Sequence, residues 1–323
     1  MTSSPAATGP RPSGRAATTR RRRGLLRRGG GPGGRAEQVT GGAFALPALA
    51  LLFVFLLTPF LLAVGLSFTN QRLASPLPLR FVGARNYLDV FASESFRKAF
   101  FNNVWFTAIV VPLQTTLALW LAVLVNQRIR GITVFRAIYF APVVTVMAVA
   151  ATVWLLIYAP DRGLANGFLE TVTFGHVQSD FLRSTTWALP SIVVMSIWQG
   201  VGFQMIVILA GLQEIPDGLY EAAEIDGATR WEQFRHVTLP LLRNTLIFVV
   251  TVTTILAFRL FDQIWVMTRG APLGNTRTMM LELVEVGFER QQIARGSAIA
   301  VIFFTIVLLV TLVQRRLVKE RIY

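Results

Sequence analysis

The chain has 323 residues, 53% of them hydrophobic and 15% charged, and its mean hydropathy of +0.54 excludes an ordinary soluble domain. The absence of cysteine excludes disulfides, thiolate catalysis and Cys-built zinc sites, and two histidines, His176 and His236, leave little for a metal or acid–base centre. A formal charge of +14 points to an anionic partner, nucleic acid or lipid, and the distribution of that charge decides between them.

Nine arginines fall within residues 1–42, in a tract rich in Gly, Pro, Ser and Thr. Such a tract cannot bury enough apolar surface to fold, which predicts a disordered basic tail over 1–42. A DNA-binding arm and a topology signal lying on acidic lipid headgroups both fit its composition. The apolar run that follows favours lipid, and no nucleic-acid partner is expected. The RRRRG run resembles a twin-arginine export signal. The next apolar segment is too long for a signal peptide and lacks an A-x-A cleavage site, so it is expected to stay in the mature protein.

A bilayer core about 30 Å thick needs about 20 apolar helical residues. Six stretches qualify, roughly 43–68, 104–126, 136–158, 187–212, 245–268 and 296–314, each apolar around the whole helix. The prediction is an all-α integral membrane domain of six spans over residues 43–323. Pro47, Pro59, Pro112, Pro142 and Pro190 interrupt these spans, as packed membrane helices tolerate. The tail, residues 127–136, residues 213–243 and the C-terminus together hold 19 Lys and Arg, against 11 in the alternate connections. By the positive-inside rule both termini face the cytoplasm, as does the stretch at 214–240.

That stretch is compact and charged, between two apolar spans. Pro216 and Asp217 suit the start of a first helix, where a carboxylate complements the helix dipole. Gly227 permits the left-handed conformation that ends it. Thr229 and Glu232 have the spacing of a capping box that opens a second helix, and Pro240 is expected to stop or kink that helix. Leu219, Ala222 and Ala223 are expected on one face of the first helix, and Trp231, Phe234 and Val237 on one face of the second. Glu221, Glu224 and Asp226 surround the small apolar surface. A helical loop without a partner has the same local chemistry. A DNA-binding helix-turn-helix does not fit, because acidic residues outnumber arginines here.

Glu221-Ala222-Ala223, Asp226-Gly227-Ala228, Phe234 and Leu239-Pro240 resemble, at the same spacing, the EAA motif of ABC importer permeases. The resemblance covers most of residues 45–320 and is nearest to the carbohydrate-uptake permeases of the maltose and glycerol-3-phosphate type. Phe81, Gly83, Asn86 and Tyr87 resemble that group's F-x-G-x-x-N-Y. Ala99 and Asn102 match A-x-x-N-T, with Asn103 in place of the threonine. Arg136, Tyr139, Phe140 and Pro142, followed by Trp154, match R-x-x-Y-F-x-P. Phe261, Asp262 and Thr268 match the end of the fifth span. TRGAP at 268–272 resembles T-x-G-G-P with Ala271 for the second glycine, and Asn244 stands where the group has a proline.

The resemblance implies a type I importer (MetI-like) fold whose residues 214–240 form a cytoplasmic coupling helix. Glu221, Ala222, Ala223, Asp226, Gly227, Ala228, Phe234, Leu239 and Pro240 would engage a separate ATPase subunit. It further implies a homologous second permease, an extracytoplasmic sugar-binding protein and a bacterial inner-membrane location. No catalytic residue, metal or cofactor is expected on this chain, ATP and Mg²⁺ belonging to the ATPase subunit. Polar groups inside spans are costly and usually face a cavity, which makes Gln199, Gln204, Arg259 and Asp262 candidates for the substrate path; Asn102 and Asn103, just before the second span, offer further amides suited to sugar hydroxyls. Arg259 and Asp262, three residues apart, are expected to share a helical face and partly neutralise each other. Trp198 and Trp265 could stack on a sugar ring. Amides also bond helix to helix, and tryptophans also sit at membrane interfaces. An ion-coupled carrier or channel would be equally polytopic but has no use for a docking segment. A membrane-embedded enzyme would need a metal-binding or paired-carboxylate constellation, which the spans lack.

Overall fold

A computed structural model describes residues 33–73, 78–126, 131–161, 163–173 and 179–317. Residues 1–32, most of the predicted tail, lie outside the described residues. Residues 33–42 do not follow the tail prediction: α1 runs Gly33–Leu52, because Arg35-Ala36-Glu37-Gln38 are good helix formers that continue into the apolar run. A π-helical turn, Phe53–Leu57, follows.

The remaining helices are α2 (Thr58–Ser67), α3 (Arg85–Ala92), α4 (Glu94–Val125), α5 (Ile132–Val144), α6 (Met147–Ile157), α7 (Leu164–Val172), α8 (Ala188–Gln213), α9 (Asp217–Ile225), α10 (Arg230–Gln233), α11 (Leu239–Leu241), α12 (Arg243–Phe258), α13 (Asp262–Met267), α14 (Met279–Val284) and α15 (Ile293–Leu317). Among the described residues there is no strand, only one antiparallel bridge between Thr69 and Phe81. Five stretches are long and apolar enough to cross a membrane, Gly42–Ser67, Glu94–Val125, Ala188–Gln213, Arg243–Met267 and Ile293–Arg316; α5 with α6 makes a sixth if the bent pair is one span.

Three predicted spans differ in form. The second begins ten residues early, at Glu94, because Phe96, Ala99 and Asn103 bury one side of two further turns while Glu94 and Lys98 pair at 3.0 Å on the other. The third is not straight: α5 and α6 meet at a 100° bend. Pro142 removes a helical donor, and the β-branched run that follows lets Thr145 and Val146 adopt extended backbone (ψ 131° and 132°). The fifth breaks at 259–261, where Phe261 leaves the helical region (φ −142°, ψ −61°).

Glycines set the closest approaches. A Cβ on Gly202 of α8 would stand 2.1 Å from the Tyr139 carbonyl oxygen of α5, and one on Gly211 would meet Thr245 of α12 and Leu242 just before it. Small residues at crossings let membrane helices pack closely, so α8 lies against α4, α5 and α12. Around it sit two apolar clusters, one holding Phe106, Ile192, Met195 and Ile264, the other Leu121, Met205, Ile208, Leu212 and Leu242. A third joins α3, α4, α14 and α15 through Val90, Phe96, Met279 and Ile299. The F-x-G-x-x-N-Y residues close the end of α2: Asn86 Nδ2 donates to the carbonyls of Ser67 and Thr69 at 2.8 Å, and Tyr87 hydroxyl lies 2.6 Å from Ser67 Oγ.

Candidate functional site

Two features stand out: the segment between α8 and α12, and a largely apolar cavity with a few polar groups, lined by the same two helices with α4, α5, α6 and residues 259–263.

The segment is built by local backbone chemistry. Pro216 precedes the first turn of α9, and Asp217 lies in it. The helix closes at Gly227 (φ +79°): its N–H donates to the Glu224 carbonyl at 3.0 Å, and the Ala228 N–H donates to the Ala223 carbonyl at 2.9 Å. This is a Schellman closure, and it gives the E-A-A and D-G-A triplets a physical reason. The last alanine of each is joined by the outer hydrogen bond, and the glycine between supplies the left-handed residue. Ala223 and Ala228 are half-buried, whereas Glu221, Ala222, Glu224, Ile225 and Asp226 are exposed.

Thr229 and Glu232 form the capping box, the Thr229 N–H donating to Glu232 Oε2 at 2.7 Å and the Glu232 N–H to Thr229 Oγ1 at 3.4 Å. The backbone donor at Thr229, with its hydroxyl, holds the Glu232 carboxyl below the usual range. Pro240 does not stop the helix. A π-helical turn over Phe234–Thr238 precedes it and the chain runs on through α11, with one irregular residue, Leu242, before α12. Widening the turn to i→i+5 makes room for the proline ring, which has no N–H to give. The Tyr220 hydroxyl lies 3.0 Å from Thr238 Oγ1, tying α9 to the π-turn, and Trp231 stacks on Phe234 at 5.6 Å. Buried Ile215, Thr238 and Leu242 anchor the segment to the bundle; Leu219, Ile225 (86% exposed) and Trp231 (67%) face away from it.

The cavity, about 420 Å³, brings together Gln199 and Gln204 of α8 with Arg259 and Asp262 at the break in the fifth span. Gln204 is 1% exposed; its Nε2 donates to Thr253 Oγ1 at 2.6 Å, while its Oε1 has no hydrogen-bond partner. Arg259 and Asp262 do not pair. The helix ends between them, which removes the i,i+3 relation, and both are exposed at the cavity. Sequence reasoning missed Gln114, Gln263, Ser196 and Thr253 in the lining. The rule that selected Gln199, an amide inside an apolar span, applies equally to Gln114 of α4. Gln263 donates to Ser196 Oγ at 3.2 Å, and its place depends on the unforeseen break. Ser196 and Thr253 donate to carbonyls of their own helices, an ordinary habit that carries no signal.

Four expected residues lie elsewhere. Trp198 packs edge-on against Trp154 at 5.6 Å, and Trp265 stacks on Phe261 at 5.5 Å under the Arg269 guanidinium, so these rings have protein partners. Asn103 is fully buried between α12 and α14, bonded to Phe258 and Met279. Asn102 donates to the carbonyls of Gly274 and Arg277, holding the TRGAP loop.

A bundle of apolar helices around a cavity that carries amide, hydroxyl and charged side chains, with an anchored charged projection between two of its spans, has the build of a membrane permease. Residues 114–322 match the family described as binding-protein-dependent transport system inner membrane component. The chain is similar to the trehalose/maltose transport system permease protein MalF of Thermococcus litoralis (36% identity over 88% of this chain and 95% of that one). It is also similar to the lactose transport system permease protein LacF of Rhizobium radiobacter (31% identity over 87% and 93%). Its fold is like that of a chain in the crystal structure of a bacterial alginate ABC transporter in complex with alginate pentasaccharide-bound periplasmic protein, with TM-score 0.78, 20% identity, and coverage of 90% of this chain and 99% of that one. The chain belongs to the binding-protein-dependent transport system inner membrane component family.

Proposed function

We propose that this permease is the translocation subunit of an ATP-driven importer for a sugar, a di- or oligosaccharide or a related polyol or glycerol phosphate, and that residues 214–240 couple it to a separate ATPase subunit at the cytoplasmic face. The observation that carries the reading is the projection itself. It is rigidly closed by the Schellman turn and capping box, fixed to the bundle on one side, and apolar on the free side through Leu219, Ile225 and Trp231. A loop without a partner has no reason to combine rigid closure with exposed aromatic surface. The excess of Lys and Arg on this side of the spans supports the cytoplasmic orientation.

ATP turnover in the partner supplies the movement; this chain transmits it. The projection enters α8 through Ile215 and α12 through Thr238 and Leu242, all buried. The same two helices carry Gln199, Gln204 and Thr253 into the cavity, and Arg259 follows the end of α12. Displacing the projection as a lever therefore shifts two cavity walls together, biasing the bundle between inward- and outward-open states. Amides and hydroxyls on the walls, Gln199, Gln204 and Thr253 among them, match the donors and acceptors of sugar hydroxyls. The names of the trehalose/maltose and lactose relatives support a sugar as cargo. A homologous second permease and an extracytoplasmic binding protein complete the assembly, the latter in keeping with the family's description.

The test is uptake into proteoliposomes holding this chain, its second permease, the ATPase and the binding protein, with labelled trehalose, maltose and lactose as probes. Uptake is expected to need ATP on the ATPase side, to ignore protonophores, and to fall in Gln204→Leu while ATPase binding persists. Uptake that follows an ion gradient without ATP would overturn the proposal.

A further inference from the structure

Breaking the fifth span at 259–261 strands the end of α12. The Phe258 carbonyl loses the donor that a continuous helix would offer, in a place closed to water. Asn103, 155 residues earlier on α4, supplies it: Nδ2 donates to the Phe258 carbonyl at 3.1 Å. The other half of the same carboxamide serves the opposite strand of the crossing, Oδ1 accepting from the Met279 N–H at 2.8 Å, the first residue of α14. Thr278 extends the clamp, its hydroxyl donating to the Leu260 carbonyl at 2.9 Å and accepting from the Leu281 N–H at 3.3 Å. One buried side chain thus fixes both ends of the excursion that carries Arg259, Asp262 and Gln263.

We propose that Asn103 is the positioning residue of the cavity wall, holding the break open so that Arg259, Asp262 and Gln263 line the cavity. The inference rests on reading that cavity as the substrate path. The position needs a donor and an acceptor held apart on one planar group. A threonine here would have to meet both partners with a single oxygen, one bond nearer α4, whereas the carboxamide reaches Phe258 and Met279 with separate atoms.

Because the chain has no cysteine, single introduced cysteines report accessibility cleanly. Leu256→Cys lies before the break and Asp262→Cys beyond it, both in the cavity lining. In the full transporter in membrane vesicles, each is labelled with a charged methanethiosulfonate. Asn103→Leu is expected to change the labelling rate at 262 by about fivefold, the ratio that a lost hydrogen bond of about 1 kcal/mol produces, and to leave 256 unchanged. Asn103→Asp adds a readout that general loosening would not move. In so dry a position its carboxyl is neutral at low pH, donating to Phe258 and accepting from Met279 as the amide does; once ionised it repels the Phe258 carbonyl.

Labelling at 262 in Asn103→Asp, taken as a ratio to the Asn103 protein at each pH, is expected to start near one and depart from it as pH rises. Glu94, Arg97 and Lys98 on α4, Arg243 and Arg259 at the two ends of α12, and Arg277, Glu282 and Glu285 around α14 are common to both proteins and cancel in the ratio. No change at 262, equal change at 262 and 256, or a pH-independent ratio would overturn the proposal. The cavity reading is tested separately by Gln204→Leu uptake, so the two fail distinguishably.

Discussion

Gly200 and Gly202, two residues apart on α8, predict opposite outcomes for the same substitution. A Cβ on Gly202 would lie 2.1 Å from the Tyr139 carbonyl oxygen, 3.0 Å from its carbonyl carbon and 3.1 Å from Val143 Cγ2. Ordinary contact begins at 3.4 Å, so α5 would have to retreat by about 1.3 Å. The obstacle is backbone within a helix, which has no rotamer to give. Overpacking of this kind costs about 1–3 kcal/mol, against roughly 1 kcal/mol regained when alanine replaces glycine in a helix. A Cβ on Gly200 instead meets Gln114 Nε2 at 2.5 Å, the far end of a flexible side chain that can swing into the cavity.

Gly202→Ala should therefore lower the thermal unfolding midpoint of the purified transporter. Gly200→Ala should leave it unchanged or raised, and should alter uptake by narrowing the cavity. Equal midpoints for the two variants, or a lower one for Gly200→Ala, would refute the assignment of α5 against α8 at Gly202.

Three further outcomes are expected. Gly227→Ala places a Cβ in open space but keeps φ at +79°, so its cost is conformational, about 1–2 kcal/mol, and should appear as faster amide exchange at Ala228; Gly218→Ala, also in open space on ordinary helical backbone, should not accelerate it. The Glu232 carboxyl is held below its ordinary value of 4.5, so the capping box contributes fully above that pH and is lost as pH falls through the lowered folded value. Protection of the Thr229 amide should follow that course in the wild type and be weak at every pH in Thr229→Val. Glu282 is 2% exposed and bonded to Arg277 and Ser95; burial pulls the Arg277 guanidinium down, and its bonds to Glu282 and Glu285 more than offset this. Arg277→Met should cost about 3 kcal/mol by leaving that carboxylate unpaired, and Arg277→Met with Glu282→Leu should recover part of it in the same unfolding assay.

What the sequence disclosed follows the range of each interaction. The Schellman closure at Gly227 and the Thr229–Glu232 box are settled within a few residues, so they can be read from spacing. The spans are legible because lipid demands long apolar runs. The two breaks are not. Pro142 marks one as a weak point but not as a 100° bend, and nothing near Arg259 announces the other, since the partners that support it, Asn103 and Thr278, come from distant parts of the chain. The same gap explains the amides: Gln199 and Gln204 stand out as polar residues in a span, but whether an asparagine or tryptophan meets a cavity or another side chain depends on neighbours that spacing cannot supply, as Asn103, Trp198 and Trp265 illustrate.

The central claim is that the projection between α8 and α12 docks on the ATPase. In the cysteine-free chain, Leu219→Cys, Ile225→Cys and Trp231→Cys can each be paired with a short bifunctional thiol reagent and the assembled transporter. Leu273→Cys, 80% exposed in the TRGAP loop beyond the fifth span, serves as the control. The account predicts covalent capture of the ATPase subunit from the three projection positions, with yields that change on ATP binding, and none from 273. Capture from 273, or no capture from any projection position in a transporter that still imports sugar, would contradict it.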